Sequence, residues 1–217
     1  MTTDGPVPTP PDVPNPADVP DVVTALSAAD LGADPVVDVE AIAAAQRAMR
    51  LVELVREIER YVATDGWDQN PRMFALARTT ELVRLEPELA EALGAAAEDS
   101  ESLTPIEQEA LDHDRPLDEV LATTMWPSEV AGAALVLERV VLPPEAEESV
   151  DETDPVALAE ALANHPDRQD VRMAVVVTRD GGRMCALRLR SHDTDDQVLV
   201  GEDVVPRLAA ALAATLT

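Results

Sequence analysis

The first long run of regularly spaced apolar residues lies between Asp38 and the turn at Asp65-Gly66. Its stripe comprises Ile42, Ala45, Met49, Val52, Ile58 and Val62, which recur at close to helical intervals. Asp38 is a good N-cap, and charged side chains, Glu57 and Glu59 among them, largely cover the opposite face. The pattern predicts one long amphipathic helix, from about residue 38 to residue 64.

Shorter segments rich in valine, alanine and leucine predict strands. These segments are residues 73–76, 130–142, 171–178, 183–190 and, as a short addition, 198–200. The third and fourth flank Asp180-Gly181-Gly182, which predicts a β-hairpin. In the second arm of the hairpin, apolar residues alternate imperfectly with Arg183, Arg188 and Arg190. Gly132 has no side chain, so the long strand is narrow at this position, which favours close packing beneath a helix.

Further helices are predicted from their start and stop signals. They begin at Thr79 or Thr80, at Thr104, near Pro116, at Asp154-Pro155 and at Asp203. The start at Thr104 depends on Thr104-Pro105-Ile106-Glu107, which is a capping-box sequence with proline at the first helical position.

Together these elements predict an α+β fold in one domain, residues 36–217. We expect a mainly antiparallel sheet of four to five strands with helices packed on one face. Residues 1–35 have a different composition: seven prolines fall within the first twenty positions, and eight acidic residues precede Arg47, the first basic one. Such a Pro/Asp-rich segment cannot bury enough apolar area to offset the entropy of ordering, so a disordered tail is predicted.

Charge narrows the functions that are open to this fold. The chain has 43 acidic residues against 16 basic ones, all of them arginine, and a formal net charge of -27. The absence of lysine excludes a P-loop phosphate site, a pyridoxal Schiff base and a lysine nucleophile. The negative charge disfavours nucleic acid and anionic membranes, because both attract clustered positive charge. It favours a protein partner, and a basic one in particular.

The single cysteine, Cys185, permits no disulfide within the chain and suits a reducing compartment. The first residues lack the basic and apolar regions of a signal peptide, and apolar runs such as 130–137 are too short to span a bilayer. A cytoplasmic location is therefore expected. A monomer and a homodimer both remain open.

Metal and nucleophile signals are sparse. Asp112-His113-Asp114 and residues 192–196 mix imidazole with carboxylates, but neither has the ligand spacing of a calcium loop or a zinc site. Cys185 lies in mid-strand, where a thiol is normally an inert packed residue. We therefore expect no metal, no cofactor and no catalytic residue, which argues against an enzyme without excluding one.

Two polar turns precede predicted strands and carry the candidate functional residues. The first, residues 66–72, contains Trp67, Asp68, Gln69 and Arg72, and the second, residues 165–170, contains His165, Asp167 and Arg168. If both turns lie at the same end of the sheet, these seven side chains form a polar groove for a ligand or partner. In the alternative interpretation they fix the turns, since Arg168 between two aspartates suits a local ion pair.

The same turns carry a resemblance to a known family. The chain contains Gly66-Trp67-Asp68-Gln69, a Trp-Pro motif that runs from Trp126 to Arg139, and His165-Pro166-Asp167-Arg168-Gln169 before the hairpin. With these motifs, residues 40–216 resemble a family of uncharacterised actinobacterial proteins of unknown function. The resemblance implies a GC-rich bacterial source, which accounts for arginine in place of lysine. It implies no activity, so it assigns no catalytic residue.

The sequence thus favours a non-catalytic cytosolic interaction module, of an adaptor or chaperone-like kind. The alternative is an enzyme or small-ligand binder that uses the polar groove between the turns at 66–72 and 165–170.

Overall fold

The computed structural model describes residues 38–111, 115–142 and 164–217. The helices within these ranges are α1 (Val39–Ala63), α2 (Thr79–Leu85), α3 (Leu89–Leu93), α4 (Leu117–Thr123) and α5 (Pro206–Ala214). The strands are β1 (Arg72–Arg78), β2 (Leu103–Glu107), β3 (Val130–Val141), β4 (Gln169–Thr178), β5 (Arg183–Leu189) and β6 (Leu199–Gly201). The predicted tail, the predicted helix after Asp154 and the cluster at 112–114 lie outside the described residues.

The strands form an antiparallel sheet in the order β2-β1-β3-β4-β5-β6. At its centre β3 and β4 pair continuously from Gly132 opposite Thr178 to Val141 opposite Gln169. Both strands are rich in valine and alanine because both faces of the central sheet are covered. The predicted hairpin is confirmed, with Gly181 of its turn at a φ of 88°.

Helices cover both faces of the sheet, so the expectation of helices on one face was wrong. On one face Val55, Ile58 and Val62 of α1 pack against alternate residues of β1, β3, β4 and β5. On the other face α4 and α5 pack through residues such as Leu121 and Leu212 against the intervening positions. Each fully buried aliphatic side chain contributes roughly 1.5–3 kcal/mol, so both layers hold the sheet.

The helix predicted at Thr104 is instead strand β2. Its residues pair with β1 from Phe74 opposite Glu107 to Arg78 opposite Leu103. Pro105 is tolerated because β2 is an edge strand, where a missing N–H faces away from the ladder. This pairing outweighs the local capping signal, and it raises the strand count from the expected four or five to six within the described residues.

Helix α1 extends past the core at its N-terminal end. The helix begins and ends close to the predicted bounds, but its fully buried residues are confined to 54–62. In the first half Val39 is 73% exposed and Met49 is 65% exposed. No helix in the described ranges combines the length and the apolar content of a membrane span.

Candidate functional site

A network of buried charges lies beneath the C-terminal half of α1. Glu138, Arg172 and Arg188 stand side by side on β3, β4 and β5, because the register places Arg172 opposite both of the others. Their side chains share a face of the sheet with the α1 core, and Glu59 of α1 points down onto them. We call these four residues the buried arginine network. Relative exposure is only 1% for Glu59, 1% for Arg172 and 3% for Arg188.

Glu59 is the hub of the buried arginine network. Both of its oxygens accept hydrogen bonds of 2.7 Å from the Arg188 guanidinium, which is a bidentate pair. Arg172 lies 3.7 Å from the same carboxylate and donates a 2.7 Å bond to Glu138. The bond to Glu59 is also the main reason why the pKa of Arg188 is raised above its ordinary value.

The turn at residues 66–70 closes over this network, and we call it the Trp67 turn. The guanidinium carbon of Arg172 lies 4.5 Å from the centre of the Trp67 ring, and that of Arg190 lies 5.5 Å away. Trp67 Nε1 donates a 2.8 Å bond to Asp193, and Arg172 donates a bond to the carbonyl of Gly66. Large rings in turns either hold a loop or meet a ligand, and this ring contacts its own protein.

Two residues of the Trp67 turn have a left-handed backbone conformation. Gly66 has a φ of 81° and Asp68 a φ of 67°, the one non-glycine residue in this region among those described. Aspartate tolerates the left-handed region better than most residues, and here the backbone N–H of Asp68 donates a 2.7 Å bond to Glu138. The turn is therefore joined to the buried arginine network through main chain and side chain alike.

The structure connects the two predicted turns at one end of the sheet. The Asp68 carboxylate accepts bonds of 2.8 and 3.0 Å from Arg190, which lowers the pKa of Asp68. Arg190 also lies 3.8 Å from Asp170, and Arg168 lies 3.8 Å from that same carboxylate. Asp170 and Arg190 thus stand between the two sets of predicted residues.

The remaining predicted residues make local contacts. The Nδ1 atom of His165 accepts a 3.1 Å bond from the backbone N–H of Asp167. Gln69 donates through its amide to the carbonyls of Val62 and Gly66, at 2.9 and 2.6 Å, and so holds the end of α1 to the Trp67 turn.

Arg72 is bound by carboxylates on both sides. It forms a bidentate pair with Glu107 of the edge strand, at 2.6 and 2.7 Å, and a 2.7 Å bond with Asp65. Its guanidinium also lies 5.0 Å from the Tyr61 ring centre. These contacts join the end of α1, β1 and β2, and they raise the pKa of Arg72 above its ordinary value.

The contacts favour the interpretation in which both turns fix the structure. Within the described part of the chain, every buried side-chain nitrogen and oxygen has a hydrogen-bond partner. The guanidiniums of Arg72, Arg172 and Arg190 are each bound to carboxylates of the same chain. The polar groove for a ligand stays a prediction, but most of its side chains already bind other residues of the chain, such as Asp193 and Arg190.

Substituting Arg72 with glutamine is expected to raise the pKa of Glu107. The Arg72 bond holds that pKa below its usual range, with a smaller contribution from Tyr61 and an opposing one from burial. A carboxyl group whose pKa is lower in the folded than in the unfolded state stabilises the fold above the unfolded-state pKa of about 4.3. This stabilisation is lost as the pH falls through the folded-state pKa. Arg72→Gln should therefore remove part of the acid-induced loss of stability below about pH 4.3.

The measurement is a carbon-detected NMR titration of the Glu107 carboxyl together with urea unfolding at several pH values. Arg84→Gln, a change at an exposed position of α2, serves as the control with the same loss of charge. An unchanged titration of Glu107 in Arg72→Gln would show that the ion pair does not persist in solution.

The opposite end of the sheet has an open groove, which we call the hairpin-end groove. It lies between the first half of α1, the β4–β5 turn and the segment that follows α3, and it encloses about 1260 Å³. Small or half-buried apolar residues contribute to its walls, among them Ala48, Leu51 and Ala96. The groove exists because α1 continues beyond the last residues that the sheet covers.

Charge in the hairpin-end groove is unbalanced. Most of its arginines are occupied: Arg50 pairs with Asp99 at 2.8 Å, Arg183 pairs with Asp203 at 2.7 Å, and Arg179 donates to main-chain carbonyls. Several of its glutamates have no arginine partner among the described residues: Glu53, Glu57, Glu81, Glu101 and Glu202. The groove therefore presents uncompensated negative charge beside apolar side chains.

The buried arginine network was not predicted from the sequence, and Glu59 was assigned to the exposed face of α1. That assignment was wrong, because Glu59 lies between Val55 and Val62 on the packed side of the helix. A usable signal was present: Arg172 and Arg188 occupy the same alternation phase as Val176 and Met184, which face the core. Charges in an apolar phase predict a buried counter-ion.

The described residues contain no group of three or more His, Cys, Asp or Glu side chains that could hold a metal ion. Cys185 is buried, and its burial raises the pKa of the thiol.

Comparison with known proteins gives one finding. Searches among curated proteins and among solved structures give no match. A family model described as PPA1309-like protein matches residues 51–217, which include the Trp67 turn, all strands of the sheet and most of the elements around the hairpin-end groove. The chain therefore belongs to the PPA1309-like protein family.

Proposed function

We propose that this protein is a non-catalytic interaction module that binds a basic, partly apolar segment of another protein in the hairpin-end groove. The observation that carries the proposal is the combination in that groove of uncompensated glutamates with uncovered small apolar side chains. An adaptor or chaperone-like role in the cytoplasm of an actinobacterium is part of the same proposal.

Electrostatics supports a basic partner. The glutamates of the groove come from several separate segments of the chain, among them Glu57 on α1, Glu81 on α2 and Glu202 just after β6. A cleft in which carboxylates outnumber guanidiniums has a net negative field and attracts a ligand of positive charge. The overall charge of -27 adds to this attraction at long range.

The apolar part of the groove supports a peptide rather than a small ion. Ala44 and Ala48 lie one turn apart on α1, and Ala95 and Ala96 lie across the groove from them. Small side chains let a main chain approach closely. An amphipathic helix that lays apolar side chains into such a groove, with basic residues at its edges, is a common mode of recognition.

The test uses the full chain and a fluorescein-labelled amphipathic helical peptide built from leucine and lysine. Fluorescence anisotropy should show saturable binding that weakens as salt is added. Reversing two glutamates of the groove, in Glu57→Lys with Glu81→Lys, is expected to weaken binding about tenfold, since each exposed ion pair contributes up to about 1 kcal/mol.

The matched control is Glu88→Lys with Glu91→Lys, which makes the same change in net charge at exposed positions that do not line the groove. A second control peptide carries glutamate in place of lysine and should not bind. Equal weakening by both double variants would mean that the peptide responds to net charge alone, and the proposal would then fail.

A further inference from the structure

The first half of α1 has a second apolar surface, which faces away from the hairpin-end groove. Ile42, Ala45, Met49 and Val52 succeed each other at intervals of three, four and three residues, and none of them lines the groove. We call these four residues the outer stripe. Ile42 is 47% exposed and Met49 is 65% exposed, while Val52 is half-buried against the core.

We propose that the outer stripe pairs two copies of this chain through antiparallel contact of their α1 helices. Intervals of three and four residues are those of the contact positions in coiled coils, so the stripe forms a continuous seam on one side of the helix. A two-fold axis makes the contact self-complementary, because the same patch is used on both copies.

Side-chain size sets the register of this pairing. With the two-fold axis at the level of residue 47 along the helix, on the side of the stripe, Ile42 lies opposite Val52 of the second copy, and Ala45 lies opposite Met49. A small residue then faces the large, flexible methionine at both central layers, which allows the helices to approach closely. Gln46 lies beside its own counterpart near the axis and can form amide hydrogen bonds.

Charge indicates a second copy rather than a basic partner. The outer stripe itself carries no acidic residue, and the charged residue one turn after Val52 is Arg56. A basic protein therefore gains no ion pairs here, whereas two neutral seams meet without local repulsion. The net charge of each copy still repels the other, but charges beyond about 8 Å are largely screened at physiological salt. Self-association should thus strengthen with salt, while peptide binding in the groove weakens.

Light scattering on the eluate of a size-exclusion column tests the pairing on the full chain. The wild-type protein should show twice the chain mass of 23.2 kDa, with a larger dimer fraction at high salt. Met49→Asp should give the single-chain mass. Met125→Asp places the same charge at a side chain that is 80% exposed elsewhere, and it should leave the dimer intact.

Disulfide formation tests the register. Gln46→Cys should form disulfide-linked dimers on mild oxidation, whereas Glu57→Cys, on the groove side of the same helix, should not. The native thiol of Cys185 is buried and interferes with neither.

Two results would overturn the pairing. One is a wild-type chain that stays monomeric at high salt, and the other is a dimer whose mass Met49→Asp leaves unchanged. In the first case, a fall in melting temperature on Met49→Asp would show that the stripe is covered within one chain. None of these results bears on peptide binding in the hairpin-end groove, because its test variants lie outside the stripe.

Discussion

Replacing Glu59 with alanine is expected to lower the free energy of unfolding by about 3 kcal/mol, near the lower end of the range for breaking a buried ion pair. The carboxylate binds Arg188 through both oxygens and lies 3.7 Å from Arg172, and these two guanidiniums are almost fully buried. Without Glu59 two positive charges remain in the interior. The loss is moderated because Arg188 keeps Asp195 at 2.7 Å and Arg172 keeps Glu138.

Urea unfolding measures this loss, and Glu57→Ala is the matched control. Glu57 lies on the same helix, and its substitution also removes one carboxylate, but its side chain is exposed. Its substitution is expected to change stability by less than about 0.5 kcal/mol, as is usual at the surface.

A double variant separates the cost of an unpaired charge from the value of the pair. Glu59→Met with Arg188→Met removes both partners and fills their volume with apolar atoms. Such replacements are often neutral or stabilising, so the double variant should be more stable than Glu59→Met alone. If Glu59→Ala is instead as mild as Glu57→Ala, the guanidiniums must reach solvent when their partner is removed.

The buried arginine network also bears on the proposed function, because it holds the half of α1 that lies over the sheet. Core residues 54–62 and Gln69 hold that half against the strands and the Trp67 turn. The first half continues from it as the same helix, which forms one wall of the hairpin-end groove and carries the outer stripe. Because one end of this helix is held against the sheet, less conformational entropy has to be lost when a partner binds.

Much of this fold follows from periodicity in the sequence. The long helix and the hairpin at Asp180-Gly181-Gly182 were predicted because they depend on contacts that are near in the chain. The strand at 130–141 was predicted from its run of apolar residues, although its partners β1 and β4 are distant in the chain. Strand β2 was not predicted, because its pairing with β1 is a tertiary contact that overrides a valid capping signal at Thr104. Local sequence carries no information about which edge a segment will join.

The candidate site was predictable only in part, for a related reason. Trp67 and Arg72 were identified as unusual from their neighbours in the chain, but their partners, Arg190 and Glu107, come from distant segments. The hairpin-end groove is a property of how far α1 outreaches the sheet. The distance by which α1 extends beyond the strands is known only once the register of β1, β3 and β4 is fixed.

Gly132 shows how a backbone contact escapes sequence analysis. Its position was predicted to pack closely beneath a helix, but the close neighbour is the adjacent strand. A Cβ atom at Gly132 would lie 2.4 Å from the carbonyl oxygen of Val177 and 3.2 Å from the Cα of Thr178. The pairing of β1 with β3 is also irregular here, since the register shifts between Leu76 and Ala77. Glycine permits this irregularity at the centre of the sheet.

We therefore expect Gly132→Ala to destabilise the protein by about 2–3 kcal/mol, as overpacking does where the neighbours cannot move. The obstructing atoms are main-chain atoms of β4, which is held on both sides by β3 and β5. Gly201→Ala is the control, because its added Cβ in the edge strand would meet a side-chain atom only, Cγ2 of the exposed Val204 at 3.0 Å. Its effect should stay within about 0.5 kcal/mol in the same urea titration. Similar losses for both variants would mean that strand glycines matter here for backbone entropy rather than for the close approach of β3 and β4.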